Sequence, residues 1–397
     1  MLIRIGYDIE LAVTTPMALI YLLRVHPSRR DDGVGRDGEE PAEEAVDALG
    51  QLGRSDRFHG FHHSVAARLD QPGERALTRR TLPTAAETRR FPTAAPCAVG
   101  REAGTHHATM VENHGSVPML IRIGYDIELG VATPMALIYL LRVHPSRRDD
   151  LVAPESVQVS GGLEPEEYID SFGNHCGRVN VPLGMPTVRI TNDALIRDSG
   201  ELDAVNLEAR QHDPTELPFS TLQFLLPSRY CEVDSELLTF AWNQFGATPA
   251  GWPRVRAICT FVHEHLKFNY KTARPTRTAL DAFREREGVC RDFTHLAITL
   301  CRCMNIPARY TTGYLGDIGV PAAGPMDFSA WFEVFLGDRW YTSDARHNAR
   351  RIGRIVMARG RDAGDVPITM CFGPSTLLRF DVVTDEVVDP AAAVAAA

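Results

Sequence analysis

The stretch from Gly288 to Ile306 constrains the fold more than any other part of this chain of 397 residues. Apolar side chains recur in it at helical spacing: Phe293, Leu296, Ala297, Leu300 and Met304. This spacing predicts an amphipathic helix with one buried face. Cys290 lies in the first turn of this helix, just after Gly288, whose backbone can bend sharply into the helix.

A cysteine in the first turn of a helix can be interpreted in two ways. The partial positive charge and free N–H groups of the helix N-terminus stabilise a thiolate, and the N–H of the cysteine can face a developing oxyanion. On this interpretation Cys290 is a nucleophile. Alternatively, it is a structural cysteine buried in the core, and the helix alone does not distinguish the two.

Length and composition indicate how many domains to expect and which kinds of partner are excluded. A chain of this length exceeds what one hydrophobic core usually serves, so we expect two domains and additional segments. Hydrophobic residues make up 44% and charged residues 23%, as in ordinary soluble proteins. The net charge of −9 gives no basic surface for nucleic acid, so no nucleic-acid partner is expected.

The cysteines and histidines do not form a metal or redox signature. The eight cysteines are scattered, and Cys301 and Cys303 are too close in sequence for a CxxC motif. We expect them to be reduced, which favours a cytoplasmic location. His263 and His265 diverge on a helix, so we expect no metal and no cofactor. No apolar run reaches the ~20 residues of a spanning helix, so no membrane partner is expected either.

Residues 1–32 recur almost unchanged at 119–150, with differences only at Ala12/Gly130 and Thr14/Ala132. Such near identity is too close for an old structural repeat. We expect copy 1–32 not to be integral to the fold, with Met119 as the natural start and 1–118 arising from a duplication or a misplaced start codon.

The segment between the two copies has few core-forming residues. Only 14 of the 86 residues from 33 to 118 are Leu, Ile, Val or Phe. That share is below the ~20% at which a packed core becomes doubtful. Residues 33–118 are therefore predicted to be a disordered linker, and the Ala-rich residues 390–397 a disordered tail.

The remaining chain divides into two predicted domains. Residues 119–226 contain short apolar runs separated by turn signals, typical of a small β-sandwich. Residues 227–389 combine helices with strands and form the predicted α+β core. Within the core, the run 326–336 is predicted to be a strand because its side chains alternate. Its two predicted faces are Phe328, Ala330, Phe332 and Val334 on one side, and Ser329, Trp331, Glu333 and Phe335 on the other.

Four sequence blocks follow one another in the core. They are Gly-Val-Cys-Arg-Asp-Phe, Ile-Pro-Ala-Arg-Tyr-x-x-Gly-Tyr-Leu, Ala-Trp-Phe-Glu-Val and Trp-Tyr-x-x-Asp-Ala-Arg. Together they resemble the bacterial transglutaminase-like family over residues 227–347. The resemblance implies a papain-like core, in which a helix with an N-terminal cysteine packs on an antiparallel sheet. Residues 119–226 resemble the β-rich domain that often precedes this core.

The resemblance also implies catalytic roles. Members of the family use a Cys–His–Asp triad, in which a thiolate attacks a carbonyl, an imidazole moves the proton and a carboxylate orients the imidazole. Carried over, Cys290 is the nucleophile and Asp344 the orienting acid. The histidine of the His-Ala-Trp motif is replaced by Ser329, which cannot hold a proton at neutral pH.

This replacement leaves three hypotheses open. The protein is a non-catalytic relative that keeps the cleft for binding, or another histidine substitutes, or Cys290 acts alone. The best substitute base is His347, three residues after Asp344, and His295 is a weaker one because it projects away from Cys290 on the same helix. Trp331 and Glu333 are expected to line the substrate cleft.

These considerations predict a transglutaminase-like cysteine hydrolase, a protease or amidase that attacks peptide or amide carbonyls through a Cys290 thioester. Its partner would be a peptide or protein substrate. The alternative is a catalytically impaired pseudoenzyme that uses the cleft to bind peptides or proteins. Cross-linking by acyl transfer is less favoured, because the sequence has no calcium loop of the Asp-x-Asp-x-Asp-Gly type.

Overall fold

The computed structural model describes residues 118–322 and 326–388. The predicted copy 1–32, the predicted linker up to residue 117 and the tail 390–397 lie outside the described residues. No helix in the described ranges is long and apolar enough to cross a membrane.

Strands dominate both ends of the described part of the chain, and helices are concentrated in its middle. The strands are β1 (Met119–Val131), β2 (Met135–Tyr139), β3 (Gln158–Val159), β4 (Glu166–Ile169), β5 (His175–Val181), β6 (Thr187–Asp198), β7 (Lys267–Phe268), β8 (Glu287–Gly288), β9 (Ala308–Leu315), β10 (Phe328–Leu336), β11 (Arg339–Ser343), β12 (Arg354–Gly360), β13 (Thr369–Cys371) and β14 (Ser375–Glu386). The helices are α1 (Phe219–Leu222), α2 (Glu236–Phe245), α3 (Trp252–His265), α4 (Ala279–Glu285) and α5 (Cys290–Cys303).

Two antiparallel sheets of four strands share one apolar core. Their strand orders are β14-β1-β6-β3 and β13-β2-β5-β4. In β1 the alternate residues Ile121, Ile123 and Ile127 are fully buried in this core, where Leu137 of β2 and Val179 of β5 also lie. The predicted sandwich-like β-domain is therefore confirmed, and its apolar alternation follows from one face of each sheet being covered.

The predicted boundary between the domains differs from the structure in one respect. The strands β13 and β14 lie in the range 227–389 assigned to the core, yet β14 pairs with β1 over Ile121–Val131 and β13 pairs with β2. The β-domain thus takes strands from both sides of the core in sequence. Local patterning identifies a strand but not its distant partner, which is why the sequence placed both strands in the core.

The core is a four-stranded antiparallel sheet, with strand order β11-β10-β9-β12, packed against helices. Helix α5 is buried along almost its whole length, and its side chains Phe293, Leu296 and Leu300 share a cluster with Ala330 and Phe332 of β10. The other face of this sheet contributes to the core of the β-domain. A helix with an N-terminal cysteine on an antiparallel sheet is the predicted papain-like α+β arrangement.

Candidate active site

Cys290 is the first residue of α5, and the chain enters that helix through a tightly packed turn. A Cβ on Gly288 would lie 2.6 Å from the Cβ of Asp292, so a larger residue would collide there. The Asp292 carboxylate accepts the N–H of Val289 at 2.9 Å, which caps the helix. Asp292 is also paired at 3.0 Å with Arg277, and both side chains are buried. These contacts hold the position of Cys290 firmly.

The thiol of Cys290 is partly exposed and lies among four groups that act on its ionisation. Burial raises the pKa of the thiol, and the negative charge of Asp327 raises it further. Arg346 and hydrogen bonds from the backbone N–H groups of Ala330 and Arg291 lower it, but burial prevails and the pKa stays above its ordinary value. The thiol is therefore mostly protonated at neutral pH unless a base assists it.

Ser329 lies on β10, next to the residue whose N–H contacts Cys290. It is 5% exposed, and its Oγ has no hydrogen-bond partner among the described residues. The face of β10 that Ser329 shares with Trp331 is opposite the face on which Ala330 packs with α5. The hydroxyl is therefore enclosed rather than hydrogen-bonded to a partner in the site.

Asp344 follows the last residue of β11 and forms a carboxylate–imidazole pair with His347. The distance between His347 Nδ1 and Asp344 Oδ2 is 2.9 Å. Burial alone would raise the pKa of Asp344, but Arg354 and the hydrogen bond from His347 outweigh it and hold the pKa well below its usual range. The ionised carboxylate accepts a hydrogen bond from the Nδ1–H group, so Nε2 is the ring nitrogen left to accept a proton.

Arg354 binds the carboxylate of the Asp344–His347 pair and links it to Asp203. Its Nη2 lies 2.9 Å from Asp344 Oδ2, and its Nε lies 3.0 Å from Asp203 Oδ2. The guanidinium also lies over the ring of Trp331, 4.9 Å from its centroid. The row Asp203–Arg354–Asp344–His347, in which Arg354 and Asp344 are buried, keeps Asp344 charged and oriented.

The Cys290 thiol and the Asp344–His347 pair are not hydrogen-bonded to each other. In the described ranges, no hydrogen bond or ion pair links Cys290 with Ser329 or His347, or with any other imidazole. Arg346, whose charge acts on the thiol, lies between Asp344 and His347 in the chain. The site thus contains a thiol and a charged Asp–His pair, but no imidazole bonded to the thiol.

Two residues expected in the cleft lie in the interior instead. Trp331 is 1% exposed. Glu333 is 6% exposed and is held by Arg309 and Arg359, with 3.0 Å between its Oε2 and Arg359 Nε. The prediction that both line the substrate cleft needs correction, because the β-domain side of the sheet is covered as well as the helix side.

His295, the weaker candidate base, is a buried core histidine. Its ring is stacked on Tyr230 with 5.0 Å between centroids, and its Nε2 accepts the N–H of Ala363 at 3.1 Å. Burial lowers the pKa of His295 well below its ordinary value, so the ring is neutral.

Comparisons with known proteins agree with this geometry. The family model of the transglutaminase-like superfamily matches residues 241–345, a range that includes Cys290, Ser329 and Asp344. The crystal structure of a candidate cysteine protease from Cytophaga hutchinsonii superposes with a TM-score of 0.58 at 28% identity, covering 69% of this chain and 92% of that one. Residues 241–345 form a transglutaminase-like domain.

Mycobacterial relatives extend the comparison. An uncharacterized protein of Mycobacterium leprae is 30% identical over 115 residues, 27% of this chain and 40% of the relative. An uncharacterized protein of Mycobacterium tuberculosis strain H37Rv is 25% identical over 215 residues, 50% of this chain and 68% of the relative. The chain thus spans less than half the length of the M. leprae relative.

Two charged residues near the Cys290 thiol, Arg346 and Asp327, were not predicted from the sequence to act on it. Arg346 is the last residue of the Asp-Ala-Arg block. In the structure its guanidinium lies 4.0 Å from the ring centroid of Phe268, and its charge acts on Cys290. Asp327 lies two residues before Ser329, a spacing that places both on one face of an extended strand and could have drawn attention to it.

These two charges should control the reactivity of Cys290 in opposite directions. We expect Asp327→Asn to lower the pKa of the thiol, because it removes a negative charge that repels the thiolate. Arg346→Ala should raise this pKa, because it removes a positive charge that attracts the thiolate. At pH 7 the rate of Cys290 alkylation should rise about three- to tenfold in the first and fall by a similar factor in the second. Mass spectrometry of the Cys290 peptide over a pH series gives the measurement.

A suitable control is Asp338→Asn, because the Asp338 side chain is 85% exposed in the turn between β10 and β11. This variant should leave the alkylation profile of Cys290 unchanged. If the Asp327 and Arg346 variants also leave it unchanged, the assignment of these charges to the thiol site is wrong.

Proposed function

We propose that the transglutaminase-like domain is a thiol-dependent hydrolase of peptide or amide bonds. The proposal rests on one observation above all: a partly exposed thiol at the first residue of a buried helix, with the N–H groups of Ala330 and Arg291 directed at its sulfur. A helix N-terminus with free N–H groups stabilises negative charge on sulfur and on a carbonyl oxygen beside it.

The reaction would proceed in two stages. The sulfur of Cys290 attacks the carbonyl carbon, the C–N bond breaks, and the amine leaves with a proton, which gives a thioester on Cys290. Water then attacks the thioester carbon, releases the acid and returns the proton to the sulfur. His347, through Nε2, is the base proposed to carry the proton in both stages, with Asp344 orienting its ring at 2.9 Å.

A second function is favoured by a specific observation. The hydroxyl of Ser329, which by the sequence resemblance stands in place of the family histidine, is enclosed, and the pKa of Cys290 is raised. A site of this kind can retain a peptide-binding cleft without turnover. The alternative is therefore a pseudoenzyme that binds peptides or proteins near Cys290.

The variant His347→Ala separates these two functions. In a hydrolase that uses His347, amidase activity should fall by about 10²-fold or more, because general-base assistance is lost. The pKa of Cys290, read from alkylation against pH, should rise as well. A full-length protein in which neither the parent nor His347→Ala turns over amides, with identical alkylation profiles, would be a pseudoenzyme.

His175→Ala provides the matched control. His175 on β5 forms the same kind of pair with Glu167, at 3.0 Å, in the β-domain. Its removal should leave both activity and alkylation as in the parent.

The cytoplasmic location remains a proposal. It is supported by the seven described cysteines, which are all free thiols.

A further inference from the structure

A cavity of about 450 Å³ lies beside Asp344, and Cys290 is not among its lining residues. Helix α3 lines it through Trp252, Val255 and Arg256, and the end of β11 contributes Thr342 and Ser343. Pockets that bind small organic molecules measure about 300 to 1,000 Å³. The cavity is therefore large enough for a compact ligand.

The connecting segment, residues 203–207 between the β-domain and the helices, forms another wall of the cavity. Hydrogen bonds fix this segment to the core. The N–H of Asp203 donates to the carbonyl of Arg351 at 2.9 Å, and the N–H of Arg351 donates to Asp203 Oδ2 at 3.0 Å. Asn206 Nδ2 lies 3.2 Å from the hydroxyl of Tyr341. These bonds preform the cavity, so a ligand would not have to order that wall.

Part of the cavity surface is apolar. Trp252 packs edge-on against Tyr341 with 5.4 Å between centroids, and Val255 lines the cavity three residues further along α3. Across the connecting segment, Leu207 is 63% exposed and Val205 is 41% exposed. A ligand with a compact apolar body would cover these side chains.

The cavity should attract anions, because its carboxylates are paired with an arginine while two other arginines keep nitrogens without a bond in the described ranges. The carboxylates of Asp203 and Asp344 are both engaged by Arg354, at 3.0 and 2.9 Å. Arg350 donates through Nε to the carbonyl of Asp203 at 2.6 Å, and its terminal nitrogens have no bond among the described residues. Arg256 is exposed, and the described part of the chain offers it no hydrogen bond or ion pair. Guanidinium groups whose nitrogens have no partner can bind carboxylates through paired hydrogen bonds.

We propose that this cavity binds a small organic carboxylate with an apolar body. The same chemistry is carried by the C-terminal residue of an apolar peptide and by a short fatty acid. This binding site shares Asp344 with the proposed hydrolase but does not include Cys290 and involves no covalent step, so carboxylate binding is tested separately from turnover.

The test is calorimetric titration of the full-length protein with N-acetylleucine and with octanoate, each beside its neutral amide. At least one carboxylate should bind, and its amide should bind at least about tenfold more weakly, because it lacks the charge that the arginines recognise. Comparing the two carboxylates identifies the peptide-like or the lipid-like source. Absence of binding up to about 10 mM, or equal binding of the amides, would overturn the proposal.

Variants locate the site. The double variant Arg256→Ala/Arg350→Ala should weaken binding of the carboxylate at least about tenfold. Arg178→Ala removes an exposed arginine of β5 that pairs with Glu166 and should leave binding unchanged. Binding by the double variant as tight as that of the parent would also overturn the proposal. The alkylation profile of Cys290 is recorded on the same samples and reports separately on the thiol.

Discussion

Replacing Ser329 with histidine is expected to lower the pKa of the Cys290 thiol and to raise the rate of amide hydrolysis by about 10²- to 10⁴-fold. Position 329 precedes Ala330, whose N–H contacts the sulfur. Ser343 pairs with Phe332, so the next residue, Asp344, lies opposite Trp331 on the same face as position 329. An imidazole introduced there would lie on the strand face that carries Asp344, one residue before the N–H group that acts on the thiol.

The measurement combines alkylation of Cys290 against pH with turnover of a peptide anilide. Ser329→Asn is the matched control, because it adds a polar side chain of similar shape without a basic nitrogen. A melting temperature for each variant shows whether the enclosed position accepts the larger side chain. If the histidine variant is folded and behaves like the asparagine variant in both assays, Ser329 does not occupy the position of the family base.

Replacing Arg354 with methionine is expected to reduce the free energy of unfolding by about 3 to 5 kcal/mol. The side chain of Arg354 is 6% exposed and pairs with Asp203 and Asp344, so its removal leaves two carboxylates without their cation in the interior. Chemical denaturation at neutral pH gives the measurement. Arg379→Met is the control, because Arg379 is half exposed and its ion pairs should contribute at most about 1 kcal/mol.

The effect of Arg354→Met should depend on pH in a defined direction. The pKa of Asp344 is held below its ordinary value in the folded protein, so its contribution is present above the unfolded-state pKa of about 3.9 and is lost as the pH falls through the folded pKa. The parent and the variant should therefore differ most near neutral pH and less below about pH 4. Adding Asp344→Asn to the variant should restore part of the loss. A loss no larger than that of Arg379→Met would contradict the assigned role of the buried ion pairs.

The sequence predicted the features that depend on local order. The periodicity from Phe293 to Met304 identified α5, and the four ordered blocks identified the transglutaminase-like core, which the structure and the comparisons confirm. The place of Cys290 at the first residue of the helix followed from Gly288 and the helical spacing.

Features that depend on packing between distant segments were missed. Alternation showed that Trp331 and Glu333 share a face of β10, but only the structure shows that this face is covered too. Asp327 precedes β10 and Arg346 follows β11, so the antiparallel pairing of the two strands, and not a spacing along the chain, brings both charges to Cys290. The same holds for Arg354, which joins Asp203 and Asp344 across 151 and 10 residues.

The pairing of β1 with β14 has a consequence for biosynthesis. Strand β1 lies between β6 and β14, and its partners in β14 are more than 240 residues away, as in the pair Val131 and Ser375. During translation the β-domain would emerge with one edge of β1 unpaired while the entire transglutaminase-like domain is made. Completion of the sandwich must wait for β14, so the nascent chain carries an exposed strand edge for most of its synthesis, and binding by a ribosome-associated chaperone would protect it from aggregation.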